Sequence, residues 1–110
     1  MAYDEGLSFR VEEILDDAPA VIAKKMFGGI GYLIHGNMAC GVIQNALIIR
    51  LSQEDYRTAL QKPNTRKFEM TGREMPGWLL VDPDGTAEDM DLKNWVNSAL
   101  QFSATLPPKK

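Results

Sequence analysis

The sequence predicts an α+β fold in two layers, an antiparallel five-stranded sheet packed with helices in the order α-β-β-β-α-β-β-α. Three observations lead there. Apolar residues recur at spacings of three and four near both ends of the chain, which is the signature of amphipathic helices. Between them lie short runs rich in Ile, Val, Leu and Tyr, separated by Gly-Asn and Gln-Asn pairs that are too short to connect parallel strands. At 110 residues, 45% apolar and 25% charged, the chain has the length of one domain and the balance of a globular core.

The first helix is expected from Leu7, Val11, Ile14, Leu15 and Ala18, which fall on one face. Acids crowd its early turns, suiting the positive end of the helix dipole, and Pro19 ends it. Lys24 to Phe27 then leads into Gly28-Gly29. Three strands follow: Ile30 to His35, with Ile30, Tyr32 and Ile34 on one side, Met38 to Ile43, and Ala46 to Leu51. Gly36-Asn37 and Gln44-Asn45 are the turn signals between them.

Ser52 offers an N-cap, with Glu54 and Asp55 in the first turn. The helix it opens buries Leu51, Tyr56, Ala59 and Leu60, and Pro63-Asn64 breaks the pattern. Arg66 to Met70 alternates as a strand with Phe68 and Met70 on one side, Thr71 to Gly77 reads as a loop, and Trp78 to Val81 as an apolar strand. Asp82-Pro83-Asp84-Gly85 is a turn by each of its residues. Thr86 caps the last helix, whose buried stripe is Leu92, Trp95, Val96, Ala99 and Leu100. Residues 1–106 form a single domain on this reading, and 107–110 a disordered tail. Several strands are apolar on both sides, as at Leu33-Ile34, Ile48-Ile49 and Leu79-Leu80. Helices on both faces or a second subunit would account for that, and a homodimer is expected.

Cys40 is the only cysteine, so no disulfide forms within the chain. The acidic N-terminus lacks an apolar h-region and no apolar run approaches a membrane span. Cytoplasmic placement and no membrane partner are the expectations. The net charge of −3 weighs against nucleic acid as an obligatory partner, but the charge is segmented. Residues 1–17 hold six acids and one base, and residues 82–91 five acids and no base. Between Arg57 and Arg73 stand five bases, Arg57, Lys62, Arg66, Lys67 and Arg73, with Glu69 the one acid. These five are the candidate interaction surface, with the second face of the sheet as the other place for a protein contact and with phosphates as the alternative partner of the bases.

No catalytic constellation, metal site or cofactor is expected. Gly29-Ile30-Gly31 precedes a strand, whereas a phosphate cradle needs a helix N-terminus after its glycines. His35 and Cys40 fall short of a structural zinc set, and the apolar setting of Cys40 makes an inert thiol. Asp82, Asp84, Glu88, Asp89 and Asp91 lack the spacing of a calcium loop. A small-ligand or enzymatic role ranks last.

The stretch Lys25-Met26-Phe27-Gly28-Gly29-Ile30-Gly31-Tyr32, continued to a hairpin turning at Gly36-Asn37, resembles the opening of the TfoX N-terminal domain of the TfoX/Sxy regulators of natural competence. Leu47 to Leu51 before a Ser-capped helix, Pro76-Gly77-Trp78 before the last strand, and the Trp95 helix continue the likeness. The resemblance implies a fold similar to secretion chaperones, no enzymatic activity, and a co-regulator acting with the cyclic-AMP receptor protein through protein contacts. The family motif Met26, Phe27, Gly28 and Gly29 is read as packing and backbone geometry. The chain ends after its last helix, where those regulators carry a second domain.

Overall fold

The computed structural model describes residues 3–17, 20–26, 28–70 and 73–107, with side chains except those of 69, 70, 73 and 74. Helix α1 (Glu5–Leu15) is followed by strands β1 (Val21–Met26), β2 (Gly29–Ile34), β3 (Asn37–Ile43) and β4 (Ala46–Arg50). Helix α2 (Gln53–Ala59), strands β5 (Thr65–Met70) and β6 (Arg73–Val81), the single turn α3 (Pro83–Thr86) and helix α4 (Asp89–Ala104) complete the order. Every strand pairing is antiparallel, and the sheet runs β1-β2-β3-β4-β6-β5.

The sheet thus has six strands rather than five. The extra one, β1, is an edge strand whose residues 22–25 are all exposed. Without a buried face it lacks the alternation by which strands are recognised in sequence, and its two lysines suit an edge that must not pair with strangers. The expected loop at Thr71 to Gly77 also yields in part to strand, since β6 begins at Arg73. Gly77, at φ 91, supplies the irregularity there, and its carbonyl accepts from the Leu51 amide at 2.7 Å. The last helix is capped at Glu88 rather than Thr86, because Pro83 opens the separate turn α3.

Local chemistry accounts for the helix starts. The Asp4 carboxylate accepts from the Leu7 amide and the Ser52 hydroxyl from the Asp55 amide, each satisfying an orphan donor of the first turn. The β2–β3 hairpin turns at His35 and Gly36, with φ 52 and 82, one residue earlier than Gly36-Asn37. Asn37 is instead buried in β3, and its side-chain amide donates to the Pro107 carbonyl at 2.9 Å. That bond holds the chain after α4 against the hairpin; residues 108–110 of the expected tail lie outside the described residues.

The register sorts the side chains. One row crosses all six strands as Ala23, Tyr32, Cys40, Ile49, Leu79 and Lys67, and a parallel row as Lys25, Ile30, Val42, Leu47, Val81 and Thr65. The interior members of both rows form a single buried cluster with Leu7, Val11 and Leu15 of α1, Tyr56 and Ala59 of α2, and Leu92, Val96 and Ala99 of α4. All three longer helices therefore pack on one face. The intervening row, on the opposite face, reads Lys24, Gly31, Gly41, Ile48, Leu80 and Arg66. A bulge at Ala39 puts Met38 opposite Leu33 and turns both toward this second face.

Candidate interaction surface

The five bases from Arg57 to Arg73 do not gather into one surface. Arg57 lies on α2 and Lys62 just beyond it, with the Lys62 ammonium 5.2 Å from the centre of the Trp95 ring on α4. Both belong to the helical layer. Arg66 and Lys67 are consecutive on β5, so they leave opposite faces of the sheet. The Arg66 guanidinium grips Asp82 through Nε and Nη2 at 2.8–3.1 Å, which raises its already high pKa. Arg73 pairs with Met70 through the backbone, and its side chain lies outside the described residues.

Nor do the reactive side chains converge. Cys40 is fully buried in the cluster, and burial pushes its thiol up to about 12, so it is held protonated near neutrality. His35 sits exposed at the hairpin tip. Tyr32, 2% exposed, donates its hydroxyl to Glu12 on α1 at 2.8 Å. Desolvation, then that bond and the charge of Glu12, raise the Tyr32 pKa far above the ordinary phenol range. Among the acids of the 82–91 segment, Asp82 serves Arg66 and Asp89 serves Arg10. No cluster of three or more metal-ligating side chains occurs among the described residues.

An open cleft of about 290 Å³ separates α1 from α4, lined by Arg10, Glu13, Ile14, Asp17, Asp89, Leu92 and Lys93. Its central cation is committed. Arg10 Nη2 donates to the carbonyls of Thr86 at 2.8 Å and Ala87 at 3.4 Å and to the Asp89 carboxylate at 3.0 Å. Arg10 thereby ties α1 to the α3–α4 junction, a structural task that sequence spacing did not reveal.

The motif residues have defined places. Met26 pairs with Gly29 across the turn that closes the β1–β2 hairpin, where Gly28 takes φ 76, a backbone region that favours glycine. Gly29 approaches the Val42 carbonyl so closely that a Cβ has no room. Phe27 lies outside the described residues. Gly29 opens a strand, so its amide enters the ladder with no helix N-terminus to follow.

The second face over β1–β3 lies opposite α1, α2 and α4, and no helix among the described residues packs on it. Gly31 and Gly41 face each other there, and the ends of Met26 and Met38 lie over them: a Cβ on Gly31 would meet Met26 Cε at 3.1 Å and Met38 Cε at 3.3 Å. Half-buried Leu33 and exposed Ile22, at 69%, extend the apolar area to the sheet edge. Along the row Gly31, Gly41 and Ile48 are buried, Leu80 is half-buried, and Lys24 and Arg66 at the two edges are exposed. The signal for this surface is an absence of acids: none occurs between Asp17 and Glu54.

The family model of the TfoX N-terminal domain matches residues 13–103, which takes in every strand, α2, α3 and most of α4. No curated protein matches the chain.

Proposed function

The chain belongs to the TfoX N-terminal domain family, and from that premise we propose that it is a non-enzymatic interaction domain serving competence-related regulation through contacts with another protein. The family suggests the regulatory setting. One observation supports the mode of action: the β1–β3 part of the second face, where exposed Ile22 and half-buried Met26, Leu33 and Met38 offer apolar surface with no helix above it among the described residues. Exposed apolar area of this kind is characteristic of surfaces that meet a partner. Methionines add adaptability, because an unbranched thioether can repack around different side chains.

Direct nucleic-acid binding through Arg57, Lys62, Arg66, Lys67 and Arg73 is the alternative. It is less well supported, because the first two sit in the helical layer and Arg66 already holds a carboxylate. The test is photo-crosslinking in cells with benzoylphenylalanine at position 22 or 33, against a control at position 13 on α1. Protein adducts at the sheet positions and not at the control are expected. Adducts to nucleic acid would favour the alternative, adducts to the chain itself would identify a homodimer, and no adduct at either sheet position would refute the interaction surface.

A further inference from the structure

The two layers carry opposite charge. All acids except Glu69 and Glu74 belong to helices or to the residues that cap or follow them. The strands hold Lys24, Lys25, Arg50, Arg66, Lys67 and Arg73. Strands β1, β2 and β3 contain no acid at all. The row that crosses the second face begins at Lys24 on one sheet edge and ends at Arg66 on the other, with only Gly, Ile and Leu between. Lys24 and Lys25 are both exposed on the edge strand, Lys24 on the second face and Lys25 on the helix side. The β1–β3 part of the second face is thus bounded at its open edge by a cation, with a second one turned the other way beside it.

This charge pattern selects among occupants. A second copy docked on the same face, or paired strand to strand along β1, would bring together two surfaces whose strands β1–β3 carry lysine and no acid, and lysines on an edge strand act against such pairing. Nucleic acid would find cations but poor stacking. Among the described residues the side chains of β1–β3 on this face include no aromatic, since Tyr32 points to the helices, and single strands are held largely by aromatic stacking. A protein segment with apolar side chains on one side and carboxylates on the other matches both properties.

We propose that the β1–β3 face, floored by Gly31 and Gly41 and overlain by Met26 and Met38, seats an acidic amphipathic segment of a partner protein. Its apolar side chains pack on Ile22, Met26, Leu33 and Met38, and its carboxylates meet Lys24, which leaves the same face of β1, whereas Lys25 leaves the helix side. The two methionines move aside or mould to the ligand, because only their flexible ends occupy the space above Gly31. This assignment rests on the interaction reading above and adds the chemistry of the partner.

The test is a titration of isotope-labelled protein, followed by amide chemical shifts. The probes are an amphipathic peptide of about 18 residues, long enough to form a helix, with leucines on one face and glutamates elsewhere; the same peptide with lysine in place of glutamate; and a short DNA duplex. The glutamate peptide is expected to shift the amides of Ile22, Lys24, Gly31, Leu33 and Met38, and the lysine peptide and the duplex are not. Lys24→Glu is expected to weaken binding by roughly fivefold, as one partly exposed charge pair would, and Lys25→Glu, on the helix side of the same edge, is expected to have the smaller effect. Both lysines are exposed, and Ile22→Ala provides a second variant that leaves the core intact. Absent binding of the glutamate peptide, equal or tighter binding of the lysine peptide or the duplex, shifts confined to the helical layer, or indifference to both Lys24→Glu and Ile22→Ala would each overturn the proposal. If the peptide fails while crosslinking from position 22 still captures a protein, the partner chemistry is wrong and the interaction surface stands. If crosslinking also fails, both fall.

Discussion

Gly31 and Gly41 face each other across β2 and β3, yet alanine should have very different effects at the two. An alanine Cβ at 41 would lie 2.6 Å from the Ile30 carbonyl oxygen and 2.7 Å from Met38 Cε. The methionine end can swing away, but the carbonyl belongs to the neighbouring strand of the ladder and cannot move without disturbing its hydrogen bonds. Overpacking of this kind costs about 1–3 kcal/mol, and a backbone obstacle places Gly41→Ala near the upper end. Loss of glycine's freedom in the unfolded chain returns about 0.4–1 kcal/mol, leaving a net loss of about 2 kcal/mol. For a domain of this size a kilocalorie per mole shifts Tm by about 4 °C, so the expected fall is roughly 8 °C. At Gly31 the nearest atoms are methionine ends at 3.1–3.3 Å, and the same entropic return offsets their displacement. Gly31→Ala should stay within about 0.5 kcal/mol of the parent. Thermal and urea unfolding followed by circular dichroism measure both. Equal losses, or a larger loss at Gly31, would refute the account of this face as a rigid glycine floor beneath movable methionines.

Other consequences concern charge and the helical layer. Cys40 should resist maleimide in the native protein and react at a rate set by unfolding, so labelling should accelerate with urea; fast labelling in buffer would contradict its burial. Because its folded pKa, about 12, lies above that of an unfolded thiol, the associated stability is complete below the unfolded pKa of about 8.5 and is lost as pH rises from there toward the folded value. At about pH 9.5 the loss should reach about 1.4 kcal/mol, and urea melts of Cys40→Ala should lack that component. Arg10→Lys should cost about 1 kcal/mol, because the shorter lysine side chain does not carry its ammonium to the place from which Nη2 reaches Thr86, Ala87 and Asp89; an unchanged urea midpoint would show that the α1 clamp is dispensable. Arg66→Ala should cost less than about 1 kcal/mol, since its pair with Asp82 is largely solvent-exposed, and a high-salt melt should reduce the difference further.

Much of the architecture was legible where periodicity and burial coincide. The stripes Leu7-Val11-Leu15 and Leu92-Val96-Ala99 lie in the core because a helix that buries one face must repeat its apolar residues at 3.6. Ile30, Tyr32 and Ile34 share the helix-covered side because a pleated strand alternates with a period of two. Strand β1 was not counted because an edge strand exposed on both sides carries no alternation to read. The interaction surface expected from Arg57 to Arg73 was nearness in sequence alone, and the chain sends those residues to different layers.

Spacing and local residue preferences by themselves determined the two-layer α+β fold and the Ser52 cap of α2, because each rests on short-range preferences that neighbouring residues encode. The tertiary structure alone decided which faces remain uncovered and which charges share them. Strand pairing brought Lys24, Gly31, Gly41 and Arg66 into one row across residues distant in the chain. It also placed the helices and their acids on the opposite side. A row of this kind is a property of register, and register is set by long-range packing that no local window of sequence contains.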